Sequence, residues 1–469
     1  MRCSRGALVL IVLGACSPSG AAPHSPPLAV EPVPAPNVIW ILADDLGWMD
    51  LACQGNTRIA TPNLDRLAAE GMRFTNAYAA APVCSPTRAA MMTGQSPARV
   101  GLTNHLPESE TYAPPTSRLV AAEMLDHLPL ERVTIAERLR ASGYTTAFMG
   151  KWHLQRQVAA GGRGSRSYVP ERQGFESNLG GCAFGGPPTF FDPYGIHNLP
   201  PRRIGEYLPY RLADEAVAFL RERGDAPFFL CLWHYAVHWP IEAPEALIAK
   251  YAGREGEGLA DPVYGAMVEA LDRAVGRVLA ELDASGLAER TLVVFTSDNG
   301  GWMEASDNRP LRGGKGYLFE GGIRVPMIVR WPGVVEPGSV CETPVVSMDH
   351  FPTALEAVGI EPDAAAPLDG ESLVPLLRGT GGLERDGIFF HYPNYAWHGR
   401  NRLGGAVREG RFKLIERYDD GSLELYDLEE DPGETEDLSG SRPELAARLR
   451  GDLARWLSET GARMPRARD

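Results

Sequence analysis

Asn37-Val38-Ile39-Trp40-Ile41-Leu42-Ala43 runs apolar from its second residue and stops abruptly at Asp44-Asp45-Leu46-Gly47. A continuous apolar run of this length, closed by turn residues, marks a strand buried on both faces, as in the middle of a parallel sheet covered by helices. Ligand-binding groups in such α/β sheets gather at the carboxyl ends of the strands. Two neighbouring carboxylates there repel each other unless a cation lies between them. Solvated turns also carry Asp-Asp pairs, so the pair alone leaves both readings open.

The pattern recurs downstream. Residues 291–296 form a second buried strand, and it ends in Ser297-Asp298-Asn299-Gly300-Gly301. Asp and Asn among glycines also suit a tight turn, but the repetition of strand then acid favours oxygen ligands for a metal. Further strands are expected at 72–78, 145–149, 227–233 and 326–332. Helices are expected at 61–71, capped by Thr61 with Pro62 at the first position, and at 135–142, capped by Thr134. Others fall at 210–224, 262–285 and 348–358. This alternation predicts an α/β fold over 37–379, a large mixed, mostly parallel sheet flanked by helices. Beyond residue 379 the character changes to short strands at 388–392, 405–408, 412–416 and 423–426, with a helix over 443–458. These predict a smaller C-terminal domain, 380–469, of antiparallel sheet plus one helix.

Two strand ends lead into cationic or imidazole side chains. The 145–149 strand runs into Gly150-Lys151-Trp152-His153, and Lys151 and His153 share a side if the strand continues. The 227–233 strand runs into His234-Tyr235-Ala236-Val237-His238-Trp239-Pro240. Lys315 sits in Arg312-Gly313-Gly314-Lys315-Gly316, where glycines let backbone approach a ligand closely. The segment 155–209, rich in Gly and Pro and carrying Arg163, Arg166, Arg172, Arg202 and Arg203, reads as part of a substrate rim. His391, Tyr392, His398, Arg400 and Arg402 are a second candidate stretch of that rim.

Composition narrows the partners. Lys and Arg number 46 against 60 Asp and Glu, a formal net charge of −14, which argues against nucleic acid. An anionic substrate therefore requires a locally cationic pocket or a metal ion. Arg2 and Arg5 precede the apolar run 7–13, too short for the ~20 residues of a membrane span, so the N-terminus reads as an export signal. Leu13-Gly14-Ala15-Cys16 resembles a bacterial lipobox, which implies lipidation of Cys16 and a membrane tether; ordinary cleavage near Ala22 is the alternative. Residues 1–36 are thus signal and flexible spacer, and the expected location is the periplasm or cell envelope. The remaining cysteines show no Cys-x-x-Cys pair, and no disulfide is required.

Cys84-Ser85-Pro86-Thr87-Arg88 stands at an expected turn into a helix, between the small apolar run 79–83 and Ala89-Ala90-Met91-Met92-Thr93-Gly94. First-turn N–H groups there face an anion, and the nearby guanidinium favours a thiolate or an anionic adduct. By these residues alone, a nucleophile and a packed cysteine are both open. The stretch resembles the signature of the type I sulfatases of the alkaline phosphatase superfamily. The resemblance extends from residue 37 to the end, through Asp44-Asp45, Cys84 to Arg88, Gly150 to His153, Val237 to Pro240, Ser297 to Gly300 and Lys315-Gly316. Tyr426-Asp427-Leu428 and Asp431-Pro432-Gly433-Glu434 also look like the family's C-terminal segment.

The resemblance implies that a separate maturation enzyme oxidises Cys84 to formylglycine (3-oxoalanine). It assigns one divalent metal ion, Ca2+, to Asp44, Asp45, Asp298 and Asn299 together with residue 84. All-oxygen ligation agrees with a hard cation. Arg88 then steadies the aldehyde hydrate, and Lys151, Lys315, His153 and His238 surround the sulfate. In the implied mechanism the hydrate attacks sulfur, a histidine protonates the departing alcohol, and the second hydroxyl of the diol expels sulfate. Sulfated glycans are the leading expected substrates and aryl sulfates the next. Phosphonate monoester hydrolysis and non-enzymatic polyanion binding are the alternatives.

Overall fold

The 37–43 run becomes β1 (Asn37–Ala43), buried at every position. It belongs to a nine-stranded sheet with β2 (Met72–Tyr78), β3 (Thr145–Gly150), β4 (Ser177–Leu179), β5 (Phe228–Trp233), β6 (Thr291–Ser297), β7 (Arg324–Arg330), β8 (Ser339–Cys341) and β9 (Val345–Val346). The order is β9-β2-β7-β6-β1-β5-β3-β4, with β8 also on β2. β1 pairs in parallel with β5 and β6, and β3 in parallel with β4 and β5. Only β7 runs against its neighbours, β2 and β6. The computed structural model describes residues 35–108, 110–157, 164–364, 366–398 and 400–468. The expected export signal, Cys16, the spacer up to residue 34 and Arg163 lie outside them. No helix among the described residues is long and apolar enough to cross a membrane.

Alternation along β1 sends its side chains to two cores. Ile39, Ile41 and Ala43 pack against α1 (Pro62–Glu70), α4 (Leu208–Glu222) and α5 (Pro262–Ala284), with Leu64, Leu212, Leu271 and Val275 among the contacts. Val38, Trp40 and Leu42 pack on the other face against α2 (Cys84–Thr93), α3 (Ile135–Ala141) and α6 (His350–Val358). Helices on both faces explain why this strand is apolar at every position after Asn37.

Thr134 caps α3 as expected, in a capping box with Glu137. Thr61 does not cap α1: its hydroxyl bonds Ala52 and Asp65 instead. The cap comes from α5, where Asp272 Oδ1 accepts the N–H groups of Asn63 and Leu64 at 3.0 and 2.8 Å. A carboxylate satisfies orphan first-turn donors better than a hydroxyl, so tertiary packing overrides the local signal. The described cysteines Cys53, Cys84, Cys182, Cys231 and Cys341 are all free thiols.

The C-terminal strands β10 (Gly387–Tyr392), β11 (Gly404–Glu409), β12 (Phe412–Arg417) and β13 (Leu423–Asp427) form a four-stranded antiparallel sheet in sequence order. Leu449, Leu453 and Leu457 of α7 (Pro443–Glu459) cover one face. The other face, with Ile388, Phe390 and Ile415, packs on Tyr78, Val83, Phe319 and Ile323. A buried ionic cluster reinforces that junction. Lys413 Nζ lies 2.9 Å from Glu320 and 2.8 Å from Glu434, and Tyr78 donates its hydroxyl proton to Glu320 at 2.6 Å.

Burial pushes the Glu434 carboxyl up from 4.5 to about 7 against the pull of Lys413, and the neighbouring Glu320 adds to the rise. The folded chain then holds this proton more tightly than the unfolded chain. Its stabilising contribution is full below pH ~4.5 and falls as pH rises through ~7. Glu434→Gln is expected to flatten the change in melting temperature between about pH 5 and 8, measured by thermal unfolding; an unchanged slope rejects the assignment.

Candidate active site

Because β1, β3, β5 and β6 are parallel, their carboxyl ends open on one edge of the sheet. Ala43 stands opposite Ser297 and Gly150 opposite Trp233. The residues that follow, Asp44-Asp45, Lys151, His234 to His238 and Asp298-Asn299, are therefore neighbours. Cys84 reaches the same edge by another route. It is the first residue of α2, buried, with Arg88 one turn later on the same face.

Three carboxylates and three cationic side chains interlock there. Arg88 Nε and Nη2 lie 2.8 and 2.7 Å from Asp298 Oδ2, and Nη2 lies 3.6 Å from Asp44. Arg88 also donates to the Lys151 carbonyl at 2.5 Å. Lys151 Nζ holds both oxygens of Asp44 at 2.8 and 2.6 Å. Lys315 Nζ holds those of Asp45 at 2.6 and 2.7 Å. Asn299 donates its amide to Asp45 at 2.8 Å, and Asp298 Oδ1 accepts the Asp45 N–H at 3.2 Å. Burial and the neighbouring Asp298 and Asp45 raise the Asp44 carboxyl well above the usual range, against Lys151 and Arg88. Burial acts the same way on Asp45, but Lys315, His238 and Lys151 outweigh it and hold that carboxyl low.

This donor set fits a hard divalent cation. Ligand atoms of Asp44, Asp45, Cys84 and His238 lie within 4.8 Å of one another. Asp298 stands beside them, and the buried Oδ1 of Asn299 has no hydrogen-bond partner. Carboxylates and an amide oxygen are the ligands that calcium or magnesium takes. As a thiol, Cys84 is a poor nucleophile: burial pushes its pKa to about 11 despite Lys151 and Lys315.

Lys151 and His153 do not arrive as a continued strand. β3 stops at Gly150, whose φ is 103° and whose missing Cβ would stand 1.9 Å from the Trp233 carbonyl. His153 then takes φ 57°, and Asp45 takes φ 63°. Such left-handed non-glycine residues cost roughly 1–3 kcal/mol each and persist where surrounding bonds over-determine them. His153 Nε2 bonds the Leu106 carbonyl, which leaves Nδ1 as the acceptor, buried and unpartnered. Burial, then Lys151, holds its pKa well below the usual value. His238 Nδ1 lies 2.7 Å from the Trp239 carbonyl, and Nε2 lies 3.7 Å from Asp45. Burial and Lys315 keep it neutral as well. His234 is buried in the core, with no bond to its ring and its backbone N–H on Leu42.

A cavity of about 450 Å³ opens above Cys84. Asp45, Cys84, His153, His238 and Lys315 line it; Asp44, Arg88, Lys151, Asp298 and Asn299 do not. Its walls are His105, Tyr112, Trp239, Trp302 and Trp397, with Gly185, Gly186 and Gln157 from the 155–209 segment. Among the described residues, the expected rim arginines are absent from this lining. Arg202 and Arg203 pair with Glu206, and Arg402 with Asp419 and Asp420. His391 and Tyr392 are buried against Tyr418 and Asn104. Trp239 apart, the aromatic wall escaped the sequence reading because His105, Tyr112, Trp302 and Trp397 fall in irregular segments, with no periodicity or shared motif to join them.

A family model described as Sulfatase matches residues 36–360, and one described as N-sulphoglucosamine sulphohydrolase, C-terminal, matches residues 314–459. Steryl-sulfatase of Rattus norvegicus is 35% identical over 462 residues, covering 80% of this chain and 76% of that protein. Arylsulfatase A of Homo sapiens is 34% identical, covering 88% and 86%. Among solved structures, Ps i-CgsB in complex with k-i-k-neocarrahexaose is 29% identical with a TM-score of 0.76, covering 90% of this chain and 93% of that one.

Arg88→Met leaves Asp298 without its buried counter-charge and is expected to cost about 3–5 kcal/mol in denaturant unfolding. Adding Asp298→Asn is expected to recover part of that loss, because it removes the stranded charge.

Proposed function

The chain belongs to the sulfatase family and hydrolyses sulfate esters, and on that premise we propose that Cys84, converted to formylglycine, is its nucleophilic residue. Asp44, Asp45, Asp298 and Asn299 hold one divalent cation, calcium, beside it. The observation that carries this reading is the convergence of buried oxygen donors around Cys84, with the unpartnered Asn299 Oδ1 among them. The high pKa of the unmodified thiol further supports conversion by a maturation enzyme.

When present, the aldehyde hydrate supplies one hydroxyl to attack sulfur and another to expel sulfate, and the cation supplies positive charge against the sulfuryl oxygens. The remaining work falls to side chains. Lys315 lines the cavity and stabilises charge on the sulfate, while Lys151 reinforces it from beneath. Arg88 fixes the floor by tying α2 to Asp298 and to the Lys151 carbonyl. His153, its Nε2 bonded to Leu106, offers Nδ1 to accept a proton. His238 carries its proton on Nδ1 and leaves Nε2 bare; an anionic ester beside it raises its proton affinity, so Nε2 takes up a proton from solvent as the ester binds and passes it to the departing alcohol oxygen.

We read 37–379 as the catalytic domain and 380–469 as its C-terminal subdomain. The leading substrate class is a sulfated carbohydrate, supported by the likeness to a sulfatase-fold protein solved with a neocarrahexaose. The aromatic cavity wall favours aryl sulfates as the second reading, in keeping with the arylsulfatase A likeness. The chain is read as exported and tethered through lipidated Cys16.

Four measurements test these statements. Mass spectrometry of the tryptic peptide spanning Cys84, from the native host, is expected to show the aldehyde; a thiol with no activity would favour polyanion binding. Cys84→Ala is expected to lower turnover at least ~10³-fold, and strong chelation to lower it reversibly, with calcium restoring it. A panel of sulfated mono- and disaccharides against aryl sulfates and a phosphonate monoester ranks the substrate classes by kcat/KM.

A further inference from the structure

One wall of the cavity comes from the chain just beyond β10. Trp397 lines the pocket from a loop framed by three buried asparagines, Asn104, Asn394 and Asn401. Asn401 Oδ1 accepts the Ala396 N–H at 3.0 Å, Asn394 Oδ1 accepts the Thr103 hydroxyl proton at 2.7 Å, and Asn104 donates to the Tyr395 carbonyl at 3.0 Å. Buried amides bonded in this way hold an irregular backbone in one conformation, because breaking any of them strands a polar group. The loop therefore presents its indole in a preset position.

That position adjoins the sulfate centre. Lys315 Nζ lies 5.4 Å from the centroid of the Trp397 ring, within cation–π range, and the His105 ring meets it at 5.6 Å in a T-shaped contact. An ester whose sulfate is held by Lys315 carries its alcohol past this indole. The other walls add the rings of Tyr112, Trp239 and Trp302. A flat apolar face recognises a ring by stacking and gains little from an open chain.

We propose that Trp397 is a specificity-determining residue that stacks on the alcohol of the ester, so that the site selects sulfate esters of cyclic alcohols over open-chain ones. The inference rests on the sulfatase reading of the same site. It assigns Trp397 to substrate binding, beside its contact with Lys315, and gives it no part in proton transfer.

The test compares matured wild-type enzyme with Trp397→Ala, Trp397→Leu and Trp397→Phe on 4-nitrophenyl sulfate, N-acetylglucosamine 6-sulfate and n-butyl sulfate, with thermal melting to check that each variant is folded. The Ala and Leu variants are expected to raise KM for the two ring esters roughly two- to tenfold with kcat little changed. Phe is expected to stay near wild type, and n-butyl sulfate to be affected by none of them. A KM rise equal for ring and chain overturns the proposal. So does a loss of kcat at constant KM, which would mean that Trp397 acts through Lys315. Wild-type enzyme that turns over none of the three esters overturns the underlying reading, and this inference with it.

Discussion

Three carboxylates buried at one sheet edge are tolerable only because three cationic side chains are buried with them. Asp44 with Lys151, Asp45 with Lys315 and Asp298 with Arg88 form a closed set of contacts at 2.6–2.8 Å. Desolvating an ion costs several kcal/mol, and only close, hydrogen-bonded partners offset it. The set also keeps Arg88 from acting as a free cation: its fork is committed to Asp298 and to the Lys151 carbonyl, so it braces α2 against the loop after β3. A floor compensated in this way holds its charged side chains in fixed positions before any ligand arrives.

Backbone proximity makes that floor possible. A Cβ on Gly300 would stand 1.8 Å from the Gly321 carbonyl oxygen, and one on Gly314 would stand 2.5 Å from that of Gly301. The segment bearing Lys315 thus folds flat on the segment bearing Asp298 and Asn299. The Lys315 N–H donates to the Gly301 carbonyl at 3.0 Å, and the Gly316 N–H to the Pro82 carbonyl at 2.8 Å, just before Cys84. The same stretch continues to Glu320, which joins Lys413 of the small sheet. The Lys315 segment therefore joins the Asp298-Asn299 turn and the approach to Cys84 through backbone hydrogen bonds, and the C-terminal sheet through the Glu320–Lys413 ion pair.

Above the floor the chemistry changes. The charged groups lie mostly below Cys84, whereas the cavity walls are indole, phenol and imidazole rings from separate loops. Gly185 and Gly186 bring one wall close to both histidines: a Cβ on either would lie 2.9 Å from His153 Nε2 or 2.7 Å from His238 Nδ1. A charged floor and an aromatic collar thus give the cavity two distinct environments.

Which elements form, and which residues carry charge to their ends, can be read from local pattern alone. Continuous apolar runs make fully buried strands, and a parallel arrangement sends the residue after each strand to one edge, so Asp44, Asp45, Asp298, Asn299 and Lys151 were legible from strand-then-polar patterning. The motif at Cys84 and the resemblance it carries supplied the chemistry. What only the tertiary structure decided are contacts between segments distant in the chain: Asp272 capping α1 in place of Thr61, Leu106 orienting His153, and the loop after β3 that carries Lys151 and His153 beyond a strand ended by Gly150. The substrate wall belongs to the same class. His105, Tyr112, Trp302 and Trp397 are single aromatic residues without local pattern, and they become a surface only when loops held by buried hydrogen bonds bring them together. Local periodicity encodes burial, whereas the shape of a cavity depends on long-range packing that no short window of sequence contains.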